Sequence, residues 1–228
     1  MAQESTSIQT SAESVTDATD NLALVETILW EKCCGFWLLP EHLQRLKTSA
    51  GHFSFAYDES RILAQLDDVV KNLKCDSLVR LEFFRDGVIN LSTTPSNANR
   101  EPVKASPAKQ PVDSLNVWLR HSTSRREQYD QAIAGITGVD EVLLWNEQGE
   151  VIGSTTSNLV FELNGQYYTP PLECGVMPGV YRASLIQQGR LQERRIRVDE
   201  LASCNSIYLI NSAIGWREVI LVQPSLTV

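Results

Sequence analysis

A proline-rich segment at residues 95–113 does most to limit what this chain can fold into. The segment reads PSNANREPVKASPAKQPVD and holds four prolines with few large apolar side chains. Because such a composition does not build a core and favours exposed connections, it predicts a boundary between two structural units. We therefore predict a small domain at 21–94, a connection at 95–113 and a larger β-rich domain at 114–228.

Regular patterns begin at Asn21. The runs LALVETILW and FWLL are strand-like and flank the turn EKCCG, and VRLEFF and VINLST flank the turn RDG, so each pair predicts a hairpin. Between the hairpins, residues 40–50 carry leucines at helical spacing, and a second apolar stripe follows Asp58, a residue type that caps helices well. The preceding residues 1–20 are polar, match no targeting signal and are expected to form a disordered tail.

The second part of the chain is rich in short strands. The runs VWLRHS, VLLW, EVIG, LVFEL, QYYTP, RRIRV, SIYLIN and EVILV are predicted as strands, and Asn164-Gly165 predicts a tight hairpin turn. Helices are expected over 125–134 and over 180–188, the second ending at Gly189. The predicted fold class is therefore α+β, with a small α/β domain and a larger β-rich domain.

Composition argues against several classes of function. The chain has 20 Lys and Arg against 28 Asp and Glu, a net charge of -8, and no basic run, which argues against nucleic-acid binding. Unbroken apolar runs reach only about four residues, far short of a membrane span. The five cysteines, with one vicinal pair, fit reduced thiols in the cytoplasm, and three histidines without ligand spacing argue against a metal site.

Six segments, in this order, resemble the class IV aminotransferases. They are VETILW, LPEHLQRLKTSAGHFSFAYD, HSTSRREQYD, LLWNEQGEVIGSTTSNLVF, TPPLECGVMPGVYR and INSAIGW. The branch that they resemble most is aminodeoxychorismate lyase, which converts 4-amino-4-deoxychorismate to p-aminobenzoate and pyruvate. The resemblance implies the two-domain fold type IV architecture of D-amino acid aminotransferase, pyridoxal phosphate as cofactor, a place in folate biosynthesis and a homodimer.

An anion site is predicted where a glycine-containing turn meets a helix. The turn from Gly175 to Gly179 leads directly into the helix at Val180, so the first amides of that helix lack an intrahelical partner and can bind a phosphate. The resemblance assigns the cofactor to Arg45, Thr156, Ser157, Met177, Val180, Tyr181, Asn211 and Ser212, with Met177 against the ring. The alternative is a solvated Arg45 and an ordinary polar loop at 154–158.

The two residues on which pyridoxal chemistry most depends are replaced. That chemistry needs a lysine amine, and a carboxylate that keeps the pyridine nitrogen protonated. In the family the lysine stands in a segment like H-K-T-T-x-R, which here reads HSTSRR, so Ser122 occupies its position. The family's glutamate stands five residues before the asparagine of the polar loop, and counting back from Asn158 gives Gly153. No intact catalytic pair is therefore predicted.

Two hypotheses remain open for the function. In the first, the chain has lost covalent catalysis and serves as a small-molecule binder, with any pyridoxal phosphate held noncovalently, or as a partner subunit. In the second, it is an active lyase or aminotransferase that uses a noncovalent cofactor or another lysine, for which Lys104 and Lys109 are candidates. A nucleophilic pair of Ser122 and His121 is disfavoured, because adjacent residues on a strand point to opposite faces.

Overall fold

The computed structural model describes residues 22–97, 101–222 and 225–226, and the predicted tail at 1–20 lies outside these ranges. The described chain forms a four-stranded sheet, an eight-stranded sheet and a two-stranded ribbon, with helices packed on the two larger sheets. This arrangement confirms the predicted α+β fold class.

The smaller sheet has the strand order β2-β1-β3-β4 and is antiparallel throughout. The elements of this part are β1 (Ala23–Glu31), β2 (Gly35–Phe36), α1 (Leu39–Phe53), α2 (Glu59–Val70), β3 (Ser77–Phe84) and β4 (Ile89–Pro95). Helix α2 begins as the sequence predicts, because the Asp58 carboxylate accepts a hydrogen bond from the Arg61 amide at 3.1 Å.

Alternation along β1 and β3 builds the core of this layer. Leu24 and Ile28 of β1, with every second residue of β3, point towards α1 and α2 and are almost fully buried. Ile62 and Leu66 of α2 are 0% exposed in the same cluster. Truncating one such side chain to alanine typically costs about 2–5 kcal/mol. The layer therefore holds β1 and α1 rigidly against each other.

The larger sheet has the strand order β11-β10-β9-β12-β13-β5-β7-β8. The remaining elements are β5 (Val103–Pro107), α3 (Glu127–Ile133), β6 (Ile136–Thr137), β7 (Glu141–Trp145), β8 (Val151–Ser154), β9 (Asn158–Leu163), β10 (Gln166–Thr169), α4 (Val180–Gln187), β11 (Gln192–Glu193), β12 (Ser206–Asn211), β13 (Gly215–Leu221) and β14 (Ser225–Leu226). Strands β6 and β14 form the ribbon. Helix α4 packs through Leu185 against Val160 and Ile210 on one face of the larger sheet.

The segment 95–113 differs from its prediction as an exposed connection. It contains β5, which pairs in parallel with both β13 and β7 in the interior of the larger sheet. Val103 is 1% exposed and Ala105 is 0% exposed, so two small apolar residues contribute to the core despite the prolines around them. Their neighbours come from residues that are distant in the sequence, and local composition carries no information about them.

Three predicted strands are shorter in the structure or absent. FWLL contributes only Phe36 to β2 (Gly35–Phe36), because Leu38 adopts a φ of 55° and the chain turns into α1. The run VWLRHS contains a short 3-10 helix instead, and in RRIRV no residue of 194–198 joins a strand. The predicted Asn164-Gly165 turn is present, and both residues have positive φ.

No helix in the described ranges is long and apolar enough to cross a membrane. Among the same residues, no group of three or more His, Cys, Asp and Glu side chains could hold a metal ion. All five cysteines are free thiols.

Candidate ligand site

A cavity of about 350 Å³ is lined by residues of both larger sheets. Strand β1 and helix α1 form one side, the segment before α3 forms a second, and β8 with the loop after it forms a third. The start of α4 and the corner after β12 complete the wall. The volume lies within the range typical of small-molecule sites.

Ser122 and Gly153, which the sequence predicts to occupy the family's lysine and glutamate positions, both line this cavity. The Ser122 carbonyl accepts a hydrogen bond from the Val25 amide at 2.8 Å, which fixes its backbone to β1. A Cβ atom on Gly153 would lie 3.3 Å from the Ser157 carbonyl oxygen, a tight contact. The structure thus brings these two positions to one cavity, where neither side chain is an amine or a carboxylate.

No lysine of the described chain lines the cavity. Lys109 donates from Nζ to the Gly135 carbonyl at 2.7 Å, just beyond the end of α3. Lys104 lies on β5 with an exposed side chain. Neither lysine that the sequence offered as a substitute therefore reaches the site.

The predicted turn and the start of α4 form one end of the cavity. The first hydrogen bond inside α4 runs from the Ala183 amide to the Gly179 carbonyl at 3.0 Å, so the amides of Val180 and Tyr181 have no carbonyl within the helix. The Asn158 side chain donates to the Met177 carbonyl at 2.9 Å and packs against the Gly179 backbone. The turn is therefore held with its free amides at the cavity wall, as an anion site requires.

A polar corner adjoins this turn. Asn211 donates to the Ser157 hydroxyl oxygen at 2.9 Å, and its own oxygen accepts from the amides of Ala213 and Ile214, each at 2.9 Å. The amide of Asn211 is thereby occupied in shaping the corner. The Ser157 hydroxyl also lies 3.2 Å from the Thr156 hydroxyl, and because the proton of Thr156 goes to Glu141, the proton of Ser157 is directed to Thr156. The Ser212 hydroxyl, also at the cavity wall, makes no hydrogen bond within the described ranges.

Thr156 lines the cavity, but its hydroxyl donates in another direction. The Thr156 and Thr155 hydroxyls donate to the two carboxylate oxygens of Glu141, at 2.6 and 2.8 Å. Because a phosphate only accepts hydrogen bonds, the Thr156 hydroxyl cannot serve it while this bond is made. Its place in the structure is to anchor the loop to β7.

Arg45 reaches the cavity from α1 and is already paired. Its Nε and Nη2 atoms donate to Glu26 at 2.9 and 2.5 Å, and Nη1 lies 3.4 Å from the Pro178 carbonyl. His42 Nδ1 lies 2.6 Å from the same carboxylate. Burial opposes the ionisation of Glu26, but the charge of Arg45 and hydrogen bonds from His42 and Arg45 outweigh it, so the pKa of Glu26 is lowered.

Two further arginines line the cavity and were not predicted. Arg126 donates to the Thr155 carbonyl at 2.7 Å and lies over the ring of Tyr129 at 4.6 Å. Arg80 pairs with Glu82 at 3.0 Å near the surface. Arg126 could have been predicted from the sequence, because it is the last residue of the HSTSRR segment that resembles the family.

The lining has a one-sided charge. It includes these two arginines and Arg45, whereas no Asp or Glu of the described chain is part of it. Arg45 and Arg80 are paired with Glu26 and Glu82 outside the lining, so Arg126, which has no carboxylate partner within the described ranges, is the lining cation that favours an anionic ligand.

The fold and site place the chain in a known family. Residues 23–222 match the family model of the class IV aminotransferases, and because this match extends over most of the sequence, the chain belongs to that family. The family depends on pyridoxal phosphate.

Three individual proteins show which members of the family the chain is similar to. A Schizosaccharomyces pombe protein provisionally named aminodeoxychorismate lyase is 29% identical over 212 residues, covering 88% of this chain and 90% of its own. A crystal structure of a provisionally named amino-acid aminotransferase from Mesorhizobium loti is 35% identical with a TM-score of 0.83, covering 89% of this chain and 100% of its own. A structure provisionally named 4-amino-4-deoxychorismate lyase from Legionella pneumophila is 25% identical with a TM-score of 0.74, covering 87% of this chain and 82% of its own.

The residues present fit one half of pyridoxal phosphate and not the other. The α4 amides and the Ser212 hydroxyl offer donors for a phosphate, and the volume accommodates a small ring. Covalent attachment does not fit, because no lysine of the described ranges lines the cavity and Ser122, at the predicted lysine position, carries no amine.

Proposed function

We propose that this protein binds a phosphorylated small molecule noncovalently and does not perform the lysine-dependent chemistry of aminodeoxychorismate lyases and aminotransferases. The observation that carries the proposal is Ser122 at the wall of the cavity, together with the absence of any described lysine from the lining. A serine hydroxyl cannot condense with an aldehyde to form a stable imine, so the usual covalent bond to the cofactor has no partner.

Retained phosphate recognition is supported by the start of α4 and the corner beside it. The free amides of Val180 and Tyr181 supply donors from the backbone, which no side-chain substitution removes. Ser212 adds a hydroxyl donor at the same end. Arg126 supplies a cation near this loop, because it bonds to the Thr155 carbonyl and has no carboxylate partner within the described ranges.

The proposal includes a cellular location, an oligomeric state and a class of ligand. Five free thiols fit a reducing cytoplasm. By analogy with its family we assign the chain a homodimeric state and a ligand related to folate biosynthesis. Light scattering of the purified protein tests the first of these assignments, and a monomeric mass would contradict it.

The proposal is tested by titrating the purified protein with pyridoxal phosphate. We expect saturable binding in equilibrium dialysis, and no borohydride-stable adduct at a single lysine when reduced samples are mapped by peptide mass spectrometry. Arg126→Met is expected to weaken binding about tenfold, because it removes a charge-assisted contact. The matched control Lys109→Met removes a cation away from the cavity and should bind as the wild type does.

Two results would contradict the proposal. A stoichiometric adduct on one lysine would show that covalent chemistry survives through a residue outside the described lining. No saturable binding of pyridoxal phosphate would show that the phosphate end of the site is not functional.

A further inference from the structure

Glu26 occupies a position that the strand pattern reserves for apolar side chains. It lies on β1 between Leu24 and Ile28, on the face that packs against α1, and it is 2% exposed. The intervening residues Val25 and Thr27 face the cavity instead. Burying a carboxylate in such a layer is costly, and an apolar residue of similar size often serves stability as well or better. A buried charge here therefore calls for an explanation beyond packing.

The contacts of Glu26 connect it to the anion end of the cavity. Its two oxygens accept from Nε and Nη2 of Arg45, which fixes the plane of the guanidinium group. Only Nη1 then points to the turn before α4, where it lies 3.4 Å from the Pro178 carbonyl. Glu26 thus fixes the position of the Arg45 guanidinium group and leaves only Nη1 to donate to a ligand.

The same contacts cancel the charge of Arg45. His42 places Nδ1 at 2.6 Å from Glu26, while its Nε2 atom is buried without a hydrogen-bond partner in the described structure. The Glu26 carboxylate and the Arg45 guanidinium, which carry opposite unit charges, together have no net charge. The positive charge of Arg45, which was expected to attract a phosphate, is therefore neutralised by Glu26, a residue outside the cavity lining.

We propose that Glu26 is a specificity-determining residue that lowers the affinity of the site for free inorganic phosphate. An uncompensated arginine beside the α4 amides would hold any phosphate or sulfate ion, because each of them satisfies a cation and a set of amides. With Arg45 neutralised, the phosphate group alone binds weakly, and affinity depends on contacts to the organic part of the ligand. This inference rests on the proposed function, since it presumes that a phosphate group binds at α4.

The test compares binding constants for inorganic phosphate, pyridoxine phosphate and pyridoxine in the wild type and in Glu26→Gln. Pyridoxine and its phosphate carry no aldehyde, so surface lysines do not react with them. Glutamine keeps the shape of Glu26 and an oxygen acceptor for Arg45 but removes the charge. We expect Glu26→Gln to bind inorganic phosphate at least tenfold more tightly and pyridoxine unchanged. Glu218→Gln, which removes an exposed charge on β13, should leave all three constants within twofold.

A second variant covers the case in which Glu26→Gln does not fold. Glu26→Gln combined with Arg45→Gln removes both buried charges together, so no ion is left without its partner. Because the wild-type pair is already neutral, the double variant should bind inorganic phosphate within about threefold of the wild type. Arg45→Gln alone leaves the Glu26 carboxylate behind the site and should weaken phosphate binding more than tenfold.

The outcomes separate this inference from the proposed function. If the wild type binds pyridoxine phosphate but Glu26→Gln binds inorganic phosphate no more tightly, the inference fails and the proposed function stands. The inference also fails if the double variant loses phosphate binding more than tenfold. If no variant binds any phosphorylated probe, both are overturned.

Discussion

Trp216 donates its indole Nε1–H to the hydroxyl of Tyr181 at 3.0 Å, which joins strand β13 to the wall of the cavity. Tyr181 also packs against the ring of Trp37, with 4.8 Å between centroids. The first turn of α4, whose free amides lie at the cavity wall, is therefore in direct contact with two indoles.

This contact predicts a fluorescence signal on ligand binding. Pyridoxine phosphate at the α4 end is expected to change the tryptophan emission, because the Trp216–Tyr181 bond responds to any movement of that turn. Trp216→Phe should reduce the amplitude of the change without altering the dissociation constant by more than about threefold. The control Trp145→Phe removes an indole that bonds to the Ala108 carbonyl, outside the lining, and should keep the full amplitude.

Covalent attachment of pyridoxal phosphate is expected when a lysine is introduced at position 122. Ser122→Lys places an amine at the cavity wall, and borohydride reduction is expected to yield an adduct that peptide mapping assigns to position 122. Thr94→Lys adds a lysine on the exposed strand β4 and should give no stoichiometric adduct. If Ser122→Lys is not modified either, the cavity does not orient the aldehyde as the fold implies.

Adding Gly153→Glu to that variant should cost stability. The new Cβ would lie 3.3 Å from the Ser157 carbonyl, so the loop after β8 has to move by a few tenths of an ångström. We expect the adduct to form and the melting temperature to fall by a few degrees, as a loss of roughly 1 kcal/mol produces. Differential scanning calorimetry of the single and double variants measures the difference, and an unchanged melting temperature would show that the loop yields freely.

Gly179→Ala is expected to abolish anion binding. A Cβ atom at this position would lie 1.8 Å from Oδ1 of Asn158, so the bond from Asn158 to Met177 and the geometry of the turn cannot both persist. Gly51→Ala is the matched control, because nothing lies within 4 Å of its Cβ and it is exposed in α1. That variant should bind phosphate as the wild type does, and its free energy of unfolding, measured by urea denaturation, should rise by about 0.5–1 kcal/mol. Normal phosphate binding by Gly179→Ala would count against the α4 site.

His121 predicts a loss of stability in mild acid. Burial lowers its pKa below the ordinary 6.5, and the nearby His52 and Arg120 lower it further. Its ring stacks on His52 with 4.6 Å between centroids, and its Nδ1 lies 2.9 Å from the Ser49 hydroxyl. The unfolded chain binds the proton more readily, so the stabilisation is complete above about pH 6.5 and is lost as the pH falls through the folded pKa.

Thermal unfolding between pH 7.5 and 5.5 measures this effect. The melting temperature of the wild type should fall over that interval, whereas that of His121→Gln, which can still bond to Ser49, should fall less. Equal pH dependence in both proteins would assign the acid sensitivity to other groups.

The sequence predicted the fold class and the α4 turn because both depend on local patterns. The alternation of apolar and polar residues predicts strands β1 and β3. The Gly175–Gly179 turn directly before a helical run predicts free amides at the start of α4. It did not predict β5, whose partners are residues 141–143 and 219–221, nor the pairing of Arg45 with Glu26. Such contacts join positions distant in the chain, and only the folded arrangement shows that a buried carboxylate stands behind a cavity arginine.

The parallel pairing of β5 with β13 and β7 makes the two halves of the chain a single unit of assembly. A fragment that begins at residue 114 would lack this strand, and the facing edges of β13 and β7 would expose unpaired amides and carbonyls to other molecules. Residues 103–107 therefore complete the larger sheet, although they precede the segment that forms most of it. Any truncated form of this protein that keeps the larger sheet has to include these residues.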